Sequence, residues 1–524
     1  MKTAIKLVIA LSVQLVCVRL SSPSNLTQKA IRVENGPKID GILDDEVWKQ
    51  AAPFTGFKMV FPKPGDNPTE RTELRILYDG KNLYLGVYCY DSEPIKISAN
   101  CMVHDGFGEG KSDDAVRVLL DPFQDKRNAY VFFVNPCGAR SEGLASGEHA
   151  SLNWDGIWDA RSKVQNDGWS CEMAIPFKTI SFKPGLASWG INVERYIARK
   201  QETDRLSGTT RNSHFFNPVE ATSLEGIGGI KQGLGITFRP YGIQSVESDR
   251  LAGTARAATL DGGFDIYKNF TPNFVGAFSF NTDFAETEVD ERRINLTRFP
   301  LYFPEKRTFF LEGSEIFNFG SGGESFSPFF SRRIGLFEGA QIPIAFGAKV
   351  FGKLGNTNVA VLDVKTRAYD GGPLSLSLPS QNFFAARVYQ NILAESKVGF
   401  ILTNGSPAGE KNTLAGLDLT YQTSRFMGNQ NFLAGGWIVY NWNEQKTGRH
   451  EAFGLRLDYP NDLWDIYASY AYYGDALNPG LGFLARGNVQ TFSLGFAYQP
   501  RPEKGWIGAL VRQHFYELRF NFYW

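Results

Sequence analysis

The run Asn153-Trp154-Asp155-Gly156-Ile157-Trp158-Asp159-Ala160-Arg161 sets two indoles four residues apart among carboxylates, an amide and a guanidinium. That mixture suits a sugar, whose C–H faces stack on aromatic rings and whose hydroxyls bind polar groups. Trp154, Asp155, Trp158, Asp159 and Arg161 are therefore the candidate ligand-binding residues. The competing reading makes Trp158 core and Trp154 half-exposed packing. A second stretch, Asp105 to Asp114, is acidic and glycine-rich. Its Asp105, Glu109, Asp113 and Asp114 could ligate calcium through oxygen, although their spacing is not that of an EF-hand. An acidic turn, or an ion-pair network of Asp113 and Asp114 with Arg117, accounts for the same residues.

For catalysis, Glu142, Glu148, Asp155 and Asp159 could supply the carboxylate pair of a glycoside hydrolase. No Gly-x-Ser-x-Gly elbow accompanies them, and the five histidines form no His-x-x-x-His pair. No catalytic residue is assigned. The formal net charge is zero, so nothing points to a nucleic-acid partner.

The elements that must position these residues read as strands. Glu73–Tyr78 and Asn82–Tyr90 flank Asp79-Gly80, a strong hairpin signal. Ala115–Leu120 and Ala129–Val134 flank Asp121-Pro122, and Trp169–Ile175 and Trp189–Ile197 add two more strands. Upstream, Asp44 or Asp45 could cap a short helix that carries Val47 and Trp48 into a core. Strands at this spacing predict a β-sandwich over residues 23–222. Cys89, Cys101, Cys137 and Cys171 match no zinc pattern, and Cys89 and Cys171 read as small core residues on strands.

Residues 1–22 read as a signal peptide, with Lys2 and Lys6 before an apolar run. No internal run of about 18 apolar residues follows, which argues against a helical membrane protein and leaves a β-barrel open. From residue 223 to 524, segments of about ten residues alternate between apolar and polar. They include Leu234–Ile243, Asn273–Asn281, Ile344–Phe351, Asn358–Thr366, Phe383–Gln390, Lys397–Thr403, Thr413–Tyr421, Leu433–Trp442, Ala452–Tyr459, Trp464–Tyr472 and Thr491–Tyr498. In the last strand Tyr516, Leu518, Phe520, Phe522 and Trp524 share one face. Aromatics near segment ends suit interfacial girdles, and the pattern predicts an antiparallel transmembrane β-barrel of about 12–16 strands. Asp283–Phe319 breaks the alternation with a dense mixed-charge run and two prolines, and is expected to be a plug or a mouth segment.

The strings IDGILDDEVWKQAA, LRILYDGKNLYLGVYCYD, DDAVRVLLDP and WSCEMAIPF, in that order, resemble the family 9 carbohydrate-binding module. This resemblance implies a sugar-binding β-sandwich. NTDFAETEVDERRINLTRFPLYF followed by FPEKRTFFLEG resembles the bacterial family classed as domain of unknown function 5916. It implies a carbohydrate-module-like domain before an outer-membrane barrel, and it carries no catalytic residue over. A last strand ending in Trp524 resembles the C-terminal assembly signal of outer-membrane barrels, which implies contact with the barrel assembly machinery and with outer-membrane lipid.

The chain is thus expected to be all-β and exported to the outer membrane of a Gram-negative bacterium. Its partner would be a saccharide or polysaccharide, its role glycan binding or uptake, and calcium its one candidate cofactor. The alternatives are an exported hydrolase of O-glycosyl bonds with a carbohydrate-binding module, and an assembly protein that uses the sandwich as a platform.

Overall fold

The computed structural model describes residues 27–106, 112–147, 149–152, 154–183, 185–230, 235–247, 257–271, 273–282, 294–296, 299–320, 325–371, 376–502 and 505–524. The expected signal peptide, Glu109, Glu148 and the charged run 283–293 lie outside these residues.

Two sheets face each other in the N-terminal half. One, of nine strands, runs Thr27–Lys29, Thr222–Glu225, Ser188–Ile197, Ala115–Asp121, Asn128–Val134, Arg140–Ser146 and His149–Ser151 along its main path. Glu202–Arg205 and Lys58–Phe61 extend it to one side. The other, of five strands, is ordered Asp159–Gln165, Gly168–Pro176, Asn82–Tyr90, Thr72–Tyr78 and Ile31–Arg32. The Asp79-Gly80 hairpin and the Asp121-Pro122 strand pair form as expected. Between the sheets lies one core that includes Leu83, Leu85, Val116, Val118, Phe132, Trp169, Trp189 and Val193. Cys89 and Cys171 belong to it as free, buried thiols, and Cys101 and Cys137 are free as well. The strand Thr222–Glu225 carries the sandwich past its expected end at residue 222.

The quoted motifs have a physical reason for occurring together. Glu172 of WSCEMAIPF is fully buried, and its carboxylate accepts from the backbone N–H of Asp40 and Gly41 and from the Trp48 indole at 2.7–2.8 Å. It thereby ties the IDG turn and the short 3-10 helix Glu46–Gln50 to the second sheet. Asp45 does not cap that helix as expected, because its carboxylate accepts from the Lys38 N–H instead.

The second half is one antiparallel sheet of thirteen strands. Its strands are Ile236–Glu247, Ala257–Thr271, Phe274–Phe280, Ile344–Leu354, Thr357–Thr366, Asn382–Ile392, Ser396–Asn404, Asn412–Phe426, Gln430–Asn443, Glu451–Pro460, Trp464–Tyr473, Val489–Tyr498 and Tyr516–Tyr523. Among the described residues the first and last strands do not pair with each other. Among the described residues no helix is long and apolar enough to cross a membrane.

The two faces of this sheet differ. On one, Leu417, Leu419, Tyr421, Ile438, Tyr440, Trp442, Leu455, Leu457, Phe520 and Phe522 are exposed. On the other, Arg387 and Asp418 form a bidentate pair at 2.6 and 2.9 Å that is wholly buried. Phe319 lies over the Arg387 guanidinium. Gly399 lies against it, and a Cβ there would come within 2.5 Å. The segment 299–320 packs on this inner face, with Phe309, Phe310, Ile316 and Phe317 in a core with Phe351, Leu362, Val364 and Phe383. Lys349 fixes it by donating to the carbonyls of Phe309 and Glu312. Within it, Arg307 is buried, paired with Glu305 and stacked on Phe310. Gly313 sits at φ +71°, with Phe351 where a Cβ would go. The FPEKRTFFLEG string is therefore a packing device, and Phe309 and Phe310 are its anchor.

Candidate functional site

The loop that carries the two tryptophans is built around Glu142. This side chain is 1% exposed and projects from the strand Arg140–Ser146. It accepts from the Trp158 indole at 2.8 Å, from the Gly156 N–H at 3.2 Å, and lies 3.1 Å from His104 Nε2. Burial raises its carboxyl, and the hydrogen bonds from Trp158 and His104 oppose that rise. The loop therefore carries its own buried acceptor, and satisfying that acceptor fixes where Trp158 points.

The expected ligand residues divide into two groups. Trp158 is 6% exposed, with Phe132 edge-on at 5.0 Å and the Arg140 guanidinium over its ring at 5.7 Å. Its faces are already taken, so it serves the core rather than offering a free stacking platform. Trp154 is 9% exposed against Tyr130 and Phe132, and an edge of it lines a cavity. Asp155 is exposed on the same rim. Asp159 receives hydrogen bonds from Arg140 and Arg161, so the Asp159–Arg161 pair sits at the surface beside the loop.

Among the described residues, the expected calcium ligands Asp105, Asp113 and Asp114 do not converge. The Asp113 carboxylate is occupied by N–H donors, from the Asn100 and Cys101 backbone and the Asn100 and Asn135 amides, at 2.8–3.0 Å. Asp114 turns to the Ala198 N–H. Arg117 pairs with Glu194 rather than with either aspartate. Asp105 lies by His104 on the surface. The groups that do come together are His104, Glu142 and Asp155, with ligand atoms within 4.8 Å of one another. One nitrogen and two carboxylates is a donor set that a divalent cation could use, although Glu142 is already committed to Trp158 and Gly156.

The sandwich meets the large sheet at the sheet's short turns. Arg127 donates to the carbonyls of Ile392, Leu393 and Ser396 at 2.8–3.1 Å. Lys353 pairs with Asp125, Arg211 with Asp462, and the Asn431 amide donates to the Asn212 carbonyl. Beside these contacts lies a cavity of about 630 Å³. One wall is sandwich, with Tyr130, Trp154 and Asp155; the other is Arg239, Asn273, Glu312, Glu315, Asn358 and Tyr389. Burial pushes the Glu315 carboxyl up to about 7 and raises that of Glu312. Sequence reasoning missed this second wall. Glu312 and Glu315 fall inside the segment marked as a plug or mouth, but Asn273 and Asn358 are single amides beside turns and carry no pattern.

Residues 39–213 match the carbohydrate family 9 binding domain-like family, which the N-terminal sandwich resembles. Residues 234–345 match the domain of unknown function DUF5916. No curated protein matches the chain. Among solved structures, a family 9 carbohydrate-binding module from Caldicellulosiruptor kristjanssonii in complex with glucose is 18% identical. The match covers 39% of this chain and 97% of that one, with a TM-score of 0.29. A putative carbohydrate-binding protein from Bacteroides uniformis is 13% identical over 38% of this chain and 98% of that one, with a TM-score of 0.31. Outer-membrane expressed OmpT of Vibrio cholerae is 10% identical over 55% of this chain and 97% of that one, with a TM-score of 0.20.

Proposed function

We propose that this chain is a glycan-binding protein of a bacterial outer membrane, with the thirteen-stranded sheet as the wall of a β-barrel and the sandwich as its saccharide-binding domain. The observation that carries the membrane part is the inverted burial of the sheet. Leucines and aromatics face out on successive strands, while Arg387, Asp418 and Asn441 are buried within. In water so wide an apolar face promotes association; against lipid it is the ordinary outer surface of a barrel. Outer-membrane lipid is then the partner of this face.

The connections support a periplasmic place for the sandwich. The turns at 355–356, 393–395, 427–429 and 461–463 are short, and the sandwich docks at that end through Arg127, Asp125 and Asn212. The connections at 367–381, 444–450 and 474–488 are longer and belong to the opposite end, while at the docking end the connection 499–515 is the long exception. Outer-membrane barrels keep short turns in the periplasm and long loops outside, so the sandwich is periplasmic. It receives saccharide on the inner side, where Asp155, Asp159 and Arg161 offer hydrogen bonds, Trp154 an aromatic edge, and Trp158 holds the loop.

The test is a glycan array probed with the full chain in detergent. The reading expects a defined set of saccharides to be retained and Asp155→Ala to weaken that retention. An array with no saccharide retained contradicts it.

A further inference from the structure

We infer that the cavity between the sandwich and the large sheet is a saccharide site shared by the two halves, built for an uncharged mono- or oligosaccharide and completed only when both are present. Its volume of about 630 Å³ falls within the roughly 300–1,000 Å³ typical of small-ligand pockets.

The second observation is chemical. Three lining side chains present buried polar atoms with no hydrogen-bond partner: Asn358 Nδ2, Asn273 Oδ1 and Glu315 Oε2. Asn358 is only 4% exposed, so its amide is already removed from bulk water. Leaving a buried polar atom without a partner is costly, and such atoms in a roomy cavity are satisfied by whatever fills it. One donor beside two acceptors matches hydroxyl groups, each of which both donates and accepts. Trp154, Tyr130 and Tyr389 supply aromatic surface in the same lining.

The charges argue for an uncharged ligand. Lys353 is paired with Asp125, and Arg239 lies 3.9 Å from Glu312. Burial pushes the Glu315 carboxyl up to about 7, so near neutral pH a substantial fraction of it is protonated and can donate as well as accept. Against Lys353, Arg239 and the exposed Lys178 stand Asp125, Asp155, Glu312 and Glu315, so the lining carries no excess positive charge for a phosphorylated or carboxylated ligand.

This site rests on the glycan-binding reading, but it adds a wall that the sandwich alone does not have. In one mechanism the two are consecutive: a saccharide passes from the Asp155 rim into the cavity, past Trp154, which borders both.

The experiment uses the full chain in detergent, titrated calorimetrically with glucose, xylose and mannose and their β-linked di- and trisaccharides. Three variants come from the sheet-side wall: Asn358→Leu, Asn273→Ala and the isosteric Glu315→Gln. Wild-type protein should bind at least one of the panel. Asn358→Leu should weaken that binding at least tenfold, and the other two about threefold or more. Should Asn358→Leu fail to fold, Glu315→Gln and Asn273→Ala decide. Binding unchanged in the folded wall variants overturns the cavity site and leaves the glycan reading standing, with water alone in the cavity. No binding by the wild-type chain overturns both.

Discussion

The sandwich and the thirteen-stranded sheet are both antiparallel in the main, yet they bury opposite things. The sandwich hides Val116, Val118, Leu83, Leu85, Trp169 and Trp189 between its two layers. The sheet hides the Arg387–Asp418 pair and Asn441, and turns Leu417, Ile438, Leu455 and Phe520 outward. The same period-two alternation produces both, since it decides only that one face is apolar. What that face meets is decided by the surroundings: another sheet in the first half and, on the proposed reading, lipid in the second.

The sharpest way to break the comparison is to unpair the inner face. Arg387→Ala leaves Asp418 buried beside Phe319 without its bidentate partner, and should cost about 3–5 kcal/mol. It is read as loss of the folded, unboiled form on a gel. Next in size is the Glu305–Arg307 lock of the inner segment. Burial alone would raise the Glu305 carboxyl, but the charge and hydrogen bonds of Arg307 hold it down at about 2, against an ordinary 4.5. A lowered acid adds stability above the unfolded value, and that stability is lost as pH falls from about 4.5 through about 2. The loss should be about 3 kcal/mol in wild type, measured by thermal melts across that window. It should vanish in Glu305→Gln.

Leu417→Arg separates the two solvents directly. At an exposed site in water the change would cost within about 0.5 kcal/mol. On a lipid face it should cost roughly 2 kcal/mol, between midplane and interface values. Refolding yields into lipid vesicles measure the difference. The smallest effect is at the junction of the two halves. Arg127→Ala removes three hydrogen bonds to the turn carbonyls and should loosen the sandwich by about 1 kcal/mol. Faster proteolysis near residues 226–230, with an unchanged unboiled gel band, is the expected outcome.

Much of this was legible from local pattern. The Asp79-Gly80 hairpin and most strands of the sheet follow from turn chemistry and alternation. The strand Ala257–Thr271 was missed because Asp261-Gly262-Gly263 reads as a turn. In the fold Gly263 lies so close to the Phe280 carbonyl that a Cβ would sit 2.3 Å from it, so the glycine marks close strand approach. The roles of the site residues were less legible. In the sequence Trp158 reads as either a stacking platform or core, and Glu142, brought in from another strand, makes it a buried hydrogen-bonded anchor. Asp113 looked like a metal ligand until Asn100 and Asn135 filled its oxygens. The cavity wall joins residues more than 200 positions apart in the chain, such as Trp154 and Asn358, and no local spacing reports that.

The central claim is that the apolar face of the sheet is covered by lipid. Its most direct test is fractionation of cells that make the full chain, followed by gel electrophoresis of boiled and unboiled outer-membrane fractions. The account predicts an outer-membrane protein released only by detergent, whose mobility shifts on boiling. Release in aqueous buffer with no shift would contradict it, and would require another partner to cover Leu417, Ile438 and Phe520.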